Sequence, residues 1–191
     1  MKKQKKTQGQ TRSSLYALTE GGLMLALALV LGWLRLFELP QGGSVTLAML
    51  PLVLYGVRHG TGRGLLLGTA FGFLKYFVGA GLSVSWVSLI GDYVLAFAAV
   101  GVGAGLFGRF GMVPASLAAS AARFAVHWVV GAVVWGEYMP ETFWNLPMTN
   151  TWVYSAIYNG SYMALNCLAL VVVSLLLCRT MPKYTTRQEK S

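Results

Sequence analysis

Asp92 is a carboxylate set among apolar segments long enough to cross a bilayer, and it reads as the one acidic residue at that depth. A charged side chain there costs roughly 2.5–3.5 kcal/mol on insertion scales, so its presence asks for a task. The natural counterpart is a cation or a hydrogen-bonding solute. His127, Trp135, Tyr154 and Asn159 lie in later apolar segments and are the other candidate walls of a small-molecule site inside a helical bundle. Arg123, His127, Gly131 and Trp135 recur every four residues, which lays a cation, an imidazole, a close-approach glycine and an indole along one helix stripe. Structural alternatives stand beside this reading: an internal salt bridge from Asp92 to Arg123 or Lys75, a His127 tie to a backbone carbonyl, and Trp135 as an interfacial anchor.

Asp92 is followed by Tyr93, with Ser85, Trp86 and Ser88 on the outer side of the same segment. Farther along, Asn159, Tyr162 and Asn166 share a helix face, whereas Tyr154 lies about 140° from Asn159 on an ideal helix. Tyr154 is therefore expected to join the site only if that helix starts irregularly.

The elements that must hold these residues follow from composition. The chain has 191 residues, 55% hydrophobic and 11% charged, with a mean hydropathy of +0.59, which marks an integral membrane protein. Apolar segments at 15–34, 47–57, 65–79, 86–107, 113–135 and 152–178 give six expected spans. The second and third are short and separated by Arg58, His59 and Arg63, so one tilted or partly re-entrant element is compatible with the pattern. The fold class expected is all-α, with six transmembrane helices in one bundle. No cleavage signal closes the first apolar run, so it is expected to remain as a span.

Lys and Arg concentrate in residues 1–14, around Arg58 and Arg63, at Arg109, and in residues 179–191, all on one side for a six-span count. Both termini are then expected in the cytoplasm, as basic tails flanking a membrane domain at 15–178. The net charge of +9 is accounted for by these flanks, which makes a nucleic-acid partner a poor explanation. Cys167 and Cys178 are eleven residues apart on one helix, about 16 Å, too far for a disulfide. Two histidines without a cysteine cluster suggest no metal site, and no cofactor is expected. Neither a nucleophile motif nor a GxxxxGK[ST] phosphate loop is present, so an enzyme is not expected and ATP-driven transport would need a partner.

On the first span, Gly22, Ala26 and Val30 form a small-residue spacing, beside Ala28 and Gly32. Such a stripe serves either internal packing or the close approach of a partner helix.

Four stretches carry a family resemblance: LPQGGSVTLAMLPLVLYGVRHG (39–60), GDYVLAF (91–97), ARFAVHWVVGAVVWG (122–136) and YSAIYNG (154–160). In this order they make the chain, over 20–177, similar to the thiamine-specific substrate-binding (S) components of energy-coupling-factor vitamin transporters. The resemblance implies six membrane helices in the bacterial plasma membrane, a pocket near the extracellular side, and a loop between the first two helices that closes over the vitamin. It implies binding residues at Asp92, Tyr93, His127, Trp135, Tyr154 and Asn159. It also implies docking through Gly22 and Ala26 onto a membrane coupling subunit driven by two cytoplasmic ATPases. Thiamine offers a cationic thiazolium and an aminopyrimidine, which suit an indole face and a carboxylate. A component for another vitamin or a thiamine precursor is the alternative on the same scaffold. Two departures stand out: some relatives carry Glu where Asp92 stands, and an aromatic found in relatives is Leu82 here, for which Trp86 is a candidate substitute. The segment 137–150, with Tyr138, Phe143 and Trp144, is read either as an aromatic lid or as an interfacial belt.

Overall fold

The computed structural model describes residues 2–39, 42–78 and 83–188, with side chains from Ser14 onward. Its helices are α1 (Lys2–Trp33), α2 (Met49–His59), α3 (Thr61–Val78), α4 (Trp86–Phe110), α5 (Met112–Val133) and α6 (Thr151–Thr180). Two short hairpins pair β1 (Phe37–Glu38) with β2 (Ser44–Val45), and β3 (Thr142–Phe143) with β4 (Leu146–Pro147). Within the described residues, four helical stretches are long and apolar enough to cross a membrane: Ser14–Trp33, Trp86–Phe110, Met112–Val133 and Thr151–Thr180.

The second span departs from a plain helix. An eleven-residue α2 reaches only about 16 Å, roughly half the hydrocarbon thickness. The remaining depth is made by the chain running in from β2, where Val45, Thr46 and Ala48 are buried. Non-helical backbone is tolerated at such depth only when its polar groups find partners. Asn166 on α6 supplies them: its Oδ1 accepts from Thr46 N (3.0 Å) and its Nδ2 donates to Ser44 O (2.9 Å).

Small residues set the closest helix contact. A Cβ added to Gly64, Gly68 or Gly72 would lie 2.6 Å from Gly101 O, 2.1 Å from Phe97 O and 2.3 Å from Tyr93 O, so α3 lies backbone to backbone on α4. Only hydrogen fits at those three positions. Beneath this seam Ala28, Met49, Leu52, Val53, Phe71, Phe97, Val100 and Leu170 form the main apolar core. The outer surface keeps Leu18, Leu23, Leu66, Val133 and Leu168 exposed, the ring expected of a lipid-facing wall.

A second intramembrane acid corrects the reading of Asp92 as the only one. Glu20 on α1 is buried and paired with Arg58 and His59 at the end of α2. Arg58 also donates to Tyr184 O (3.2 Å) and Tyr16 Oη (3.3 Å), and Gln188 N donates to Arg58 O (3.1 Å). Arg58, at 4% exposure, is thus a buried partner of Glu20 and not a free topology charge. Both termini lie at this end of the bundle.

Candidate functional site

At the end of the bundle opposite the termini, α3, α4, α5, α6 and the α1–α2 connection surround a cavity with about 700 Å³ of space between atoms, mouth included. All six residues expected at the site take part in it: Asp92, Tyr93, His127, Trp135, Tyr154 and Asn159 line its wall.

Asp92 sits in a stretch of π-helix, Leu89–Leu95, inserted in α4. Such bulges widen a helix by one residue per turn and recur at functional sites. Ser85 caps this end of the helix, accepting from Ser88 N (3.2 Å), and Ser88 Oγ in turn donates to Asp92 Oδ2 (3.3 Å). Trp135, two residues past the end of α5, donates from Nε1 to Asp92 Oδ2 (2.8 Å), and His127 Nδ1 on α5 meets Asp92 Oδ1 (3.0 Å). Arg123 Nε donates to His127 Nε2 (3.2 Å), which leaves Nδ1 as the protonated nitrogen of a neutral imidazole. The result is a relay from Arg123 through His127 to Asp92, with the Trp135 indole fixed against the same carboxylate. The salt bridge from Asp92 to Arg123 or Lys75 is replaced by this relay: among the described residues, Asp92 meets the His127 ring and neither cation directly.

The α5–α6 contact is shaped by Gly131. A Cβ there would lie 2.3 Å from Ser155 Oγ and 2.9 Å from Asn159 Nδ2. Hydrogen at this position lets Ser155 donate to Trp128 O (2.7 Å) and Asn159 Nδ2 donate to His127 O (3.2 Å) and Ser155 O (2.9 Å). Tyr162 Oη donates to Asn159 Oδ1 (2.9 Å), leaving the second lone pair of that oxygen for a ligand. The His127 ring meets the side chains of Asp92 and Arg123 and not a backbone carbonyl, so the expected tie is not made by the imidazole; the tie between helices here uses the carbonyl of His127 itself.

Tyr154 reaches the cavity although α6 is regular from its first turn, capped by Asn150. The expectation of an irregular start fails because the cavity-facing arc is wider than one stripe. Tyr158, Tyr162 and Ser155 fill the interval between Tyr154 and Asn159, so the wall spans about 140° of the helix. Phe143 on β3 packs on Tyr154 (5.7 Å) and Tyr158 (5.5 Å) from behind, whereas Tyr138 and Trp144 are exposed. Trp144 and Asn145 hold φ of 52° and 59°, the paired positive values of a two-residue hairpin turn. Trp86, 78% exposed and absent from the cavity wall, does not substitute for the missing aromatic; Leu82 lies outside the described residues.

Sequence reasoning did not assign Lys75, Phe97, Arg123, Ser155, Tyr158 and Tyr162 to the site, yet all line the cavity. The 154–158–162 tyrosine spacing was the available signal for two of them. Gly42, Gly43 and Ser44 form the roof, with Gly43 N donating to Tyr158 Oη (3.3 Å); Pro40 and Gln41 of the expected lid lie outside the described residues. Among the described residues no group of three His, Cys, Asp or Glu side chains is arranged to hold a metal ion. Both cysteines are free.

The family described as Thiamine transporter protein (Thia_YuaJ) matches residues 18–186. The chain belongs to this thiamine transporter family. The thiamine transporter ThiT of Bacillus subtilis (strain 168) is 31% identical over 186 residues, covering 88% of this chain and 93% of that protein. ThiT of Lacticaseibacillus paracasei is 26% identical over 200 residues, covering 95% and 96%. The solved structure of ThiT from Listeria monocytogenes superposes with a TM-score of 0.78 over 90% of this chain and 98% of that one, at 22% identity, and shares its fold. This member of the thiamine transporter family is therefore a multi-pass bacterial membrane protein with a transport role and not an enzyme.

Proposed function

We propose that the chain is the thiamine-binding membrane subunit of an ATP-driven energy-coupling-factor transporter, capturing the vitamin outside the cell and passing it inward through that complex. The observation that carries this reading is the joint placement of His127 and Trp135, each hydrogen-bonded to Asp92, on the wall of a cavity they share with Tyr93, Tyr154 and Asn159. A carboxylate beside an indole and a ring of tyrosines suits a flat, cationic heterocycle: the aromatic faces attract the thiazolium, and the carboxylate supplies the opposite charge. The free lone pair of Asn159 suits an amino group of the pyrimidine.

The basic flanks at 1–14 and 179–191 support cytoplasmic tails, which puts the cavity at the outer end. Docking is assigned to α1. Gly22 and Ala26 are exposed, and a Cβ on Gly22 would meet nothing within 4 Å, so internal packing does not account for the stripe. A partner subunit and two ATPases supply the energy, because the chain has no phosphate loop of its own.

Mass spectrometry of ligand released from purified, denatured protein tests the first half of the proposal; recovery of a different small molecule would overturn it. Uptake measured with and without co-expressed coupling subunits tests the second half. Full uptake by the chain alone would make it a self-sufficient carrier.

A further inference from the structure

Beneath the cavity, one side chain of α6 holds the α1–α2 connection without touching the space a ligand would fill. Tyr158, Tyr162 and Asn166 follow at four-residue spacing along one stripe of α6, with Asn166 about 6 Å deeper than Tyr162. Tyr158 and Tyr162 line the cavity, and Asn166 does not. The α1–α2 connection rests on this stripe. Gly43 N donates to Tyr158 Oη (3.3 Å), and a Cβ on Gly43 would lie 2.6 Å from the Tyr162 ring, so the backbone lies directly on that ring. Val45 is buried in one apolar cluster with Tyr158, Tyr162 and Met163. Asn166 then bonds the backbone on either side of Val45: Oδ1 accepts from Thr46 N (3.0 Å), while Nδ2 donates to Ser44 O (2.9 Å) and to Tyr162 O (2.9 Å). An amide presents an acceptor and a donor side by side, as a neighbouring strand would. At 2% exposure, Asn166 makes both bonds out of reach of bulk water.

The two sides of this clamp differ. Inward, Thr46 Oγ1 accepts from Ala48 N (3.4 Å), and α2 continues into the core with Met49, Leu52 and Val53 fully buried. Outward lie Ser44, Gly43 and Gly42, which cover the ligand space. Without the amide, Thr46 N–H and Ser44 C=O would be unpaired at membrane depth, which backbone groups do not tolerate. Water reaches them only if residues 43–46 part from α6. That movement takes Gly43 off Tyr158 and Tyr162 and uncovers the cavity.

We infer that Asn166 is a positioning residue for thiamine binding: from outside the cavity it pins the point where the roof joins the buried chain, and so sets how long the ligand is held. This rests on the thiamine reading of the cavity. The amide acts on retention and not on recognition, because it offers the ligand no atom.

The test uses the purified full chain, with stopped-flow tryptophan quenching to give association and dissociation rates for thiamine. Asn166→Leu keeps a branched side chain of similar shape and removes both backbone bonds. Its dissociation rate is expected to rise at least tenfold, with the association rate within threefold of wild type. A purely structural loss would lower the binding-competent fraction and leave the dissociation rate of that fraction alone. Asn166→Ser, whose hydroxyl is too short to reach both groups, carries the same expectation if the leucine variant does not fold. Hydrogen exchange of ligand-free wild type, resolved residue by residue over 42–50, needs no variant: the step from fast to slow exchange is expected between Gly43 and Thr46. A folded variant whose dissociation rate stays within threefold of wild type overturns the inference, as does one whose association rate falls as much as its dissociation rate rises. Thr46 exchanging as fast as Gly43 overturns it too. A wild type that shows no quenching by thiamine removes the thiamine reading instead, and the position of the exchange step then decides by itself whether Asn166 pins the connection.

Discussion

Asp92→Asn isolates the charge of the carboxylate from its shape. In the wild type Oδ1 faces the Nδ1 hydrogen of His127 and Oδ2 faces the indole hydrogen of Trp135 and the Ser88 hydroxyl. An asparagine amide offers one acceptor and one donor, so it satisfies only one of the two ring N–H groups. His127 cannot relieve the conflict by changing tautomer, because its Nε2 already accepts from Arg123. The oxygen therefore stays with His127, and the amide hydrogens oppose the Trp135 N–H. Leaving that indole unpaired costs about 1–3 kcal/mol, and the charge-assisted contact to a cationic ligand accounts for about 1.5–3 kcal/mol. Because the indole can find water when it moves, the charge contact sets the expectation: roughly ten- to hundredfold weaker thiamine binding. Quenching titrations of purified protein with thiamine read this directly, and the melting temperature in the same detergent reports whether the variant is folded. A folded Asp92→Asn protein that binds thiamine within threefold of wild type would show that the carboxylate serves the relay alone and does not face the ligand.

Gly131→Ala forces a methyl group onto Ser155 and Asn159, where the space is already closed; overpacking of about 1–3 kcal/mol should lower the melting temperature and weaken thiamine binding together. Glu20→Gln leaves Arg58 buried without a counter-charge, a loss of about 3–5 kcal/mol that should appear as a much lower unfolding midpoint, with thiamine affinity of the folded fraction unchanged. Replacing Gly22 or Ala26 with Trp should leave thiamine binding by the isolated protein intact and abolish ATP-dependent uptake in cells that carry the coupling subunits; binding lost along with uptake would place the stripe inside the fold.

The part of the site that was legible in sequence is the part carried by one regular helix. His127 and Gly131 share a stripe of α5 by a four-residue spacing that continues to Trp135 just past the helix end, and a lone Asp in an apolar stretch is conspicuous. The rest depends on geometry that spacing does not encode. A π-helical turn has the same apolar composition as the α-helix around it, so nothing in LIGDYVL announced the bulge that carries Asp92 and Tyr93. Tyr154 was misjudged because an ideal-helix angle measures separation on one helix, not how far a cavity wraps around it. The glycines at 64, 68 and 72 announce a close contact but not its partner, and it is their seat on α4 that carries Lys75 to the cavity. Hairpin β1–β2 escaped notice for a related reason: an apolar run of eleven residues looks like a short span until Asn166, 120 positions from Thr46, is seen to bond the backbone that completes it.

The two intramembrane charge clusters give a physical rule for telling scaffold from site in such a chain. Around Glu20 the strong groups meet one another: one carboxylate oxygen accepts from Arg58, the other meets His59 and Arg58, and the guanidinium also donates to Tyr184 O and Tyr16 Oη. None of Glu20, Arg58 and His59 lines the cavity. Such a cluster offers a solute nothing and ties α1 and α2 to the C-terminal segment. Around Asp92 the same ingredients are left open. Asp92, His127 and Arg123 form a chain whose ends face a cavity, and Lys75 adds a charge with no carboxylate beside it. Burying charge is costly in a bilayer, so charged groups that line a cavity mark a site and those closed on one another mark scaffold. The contrast lies in saturation and not in burial, since both clusters are largely hidden from solvent.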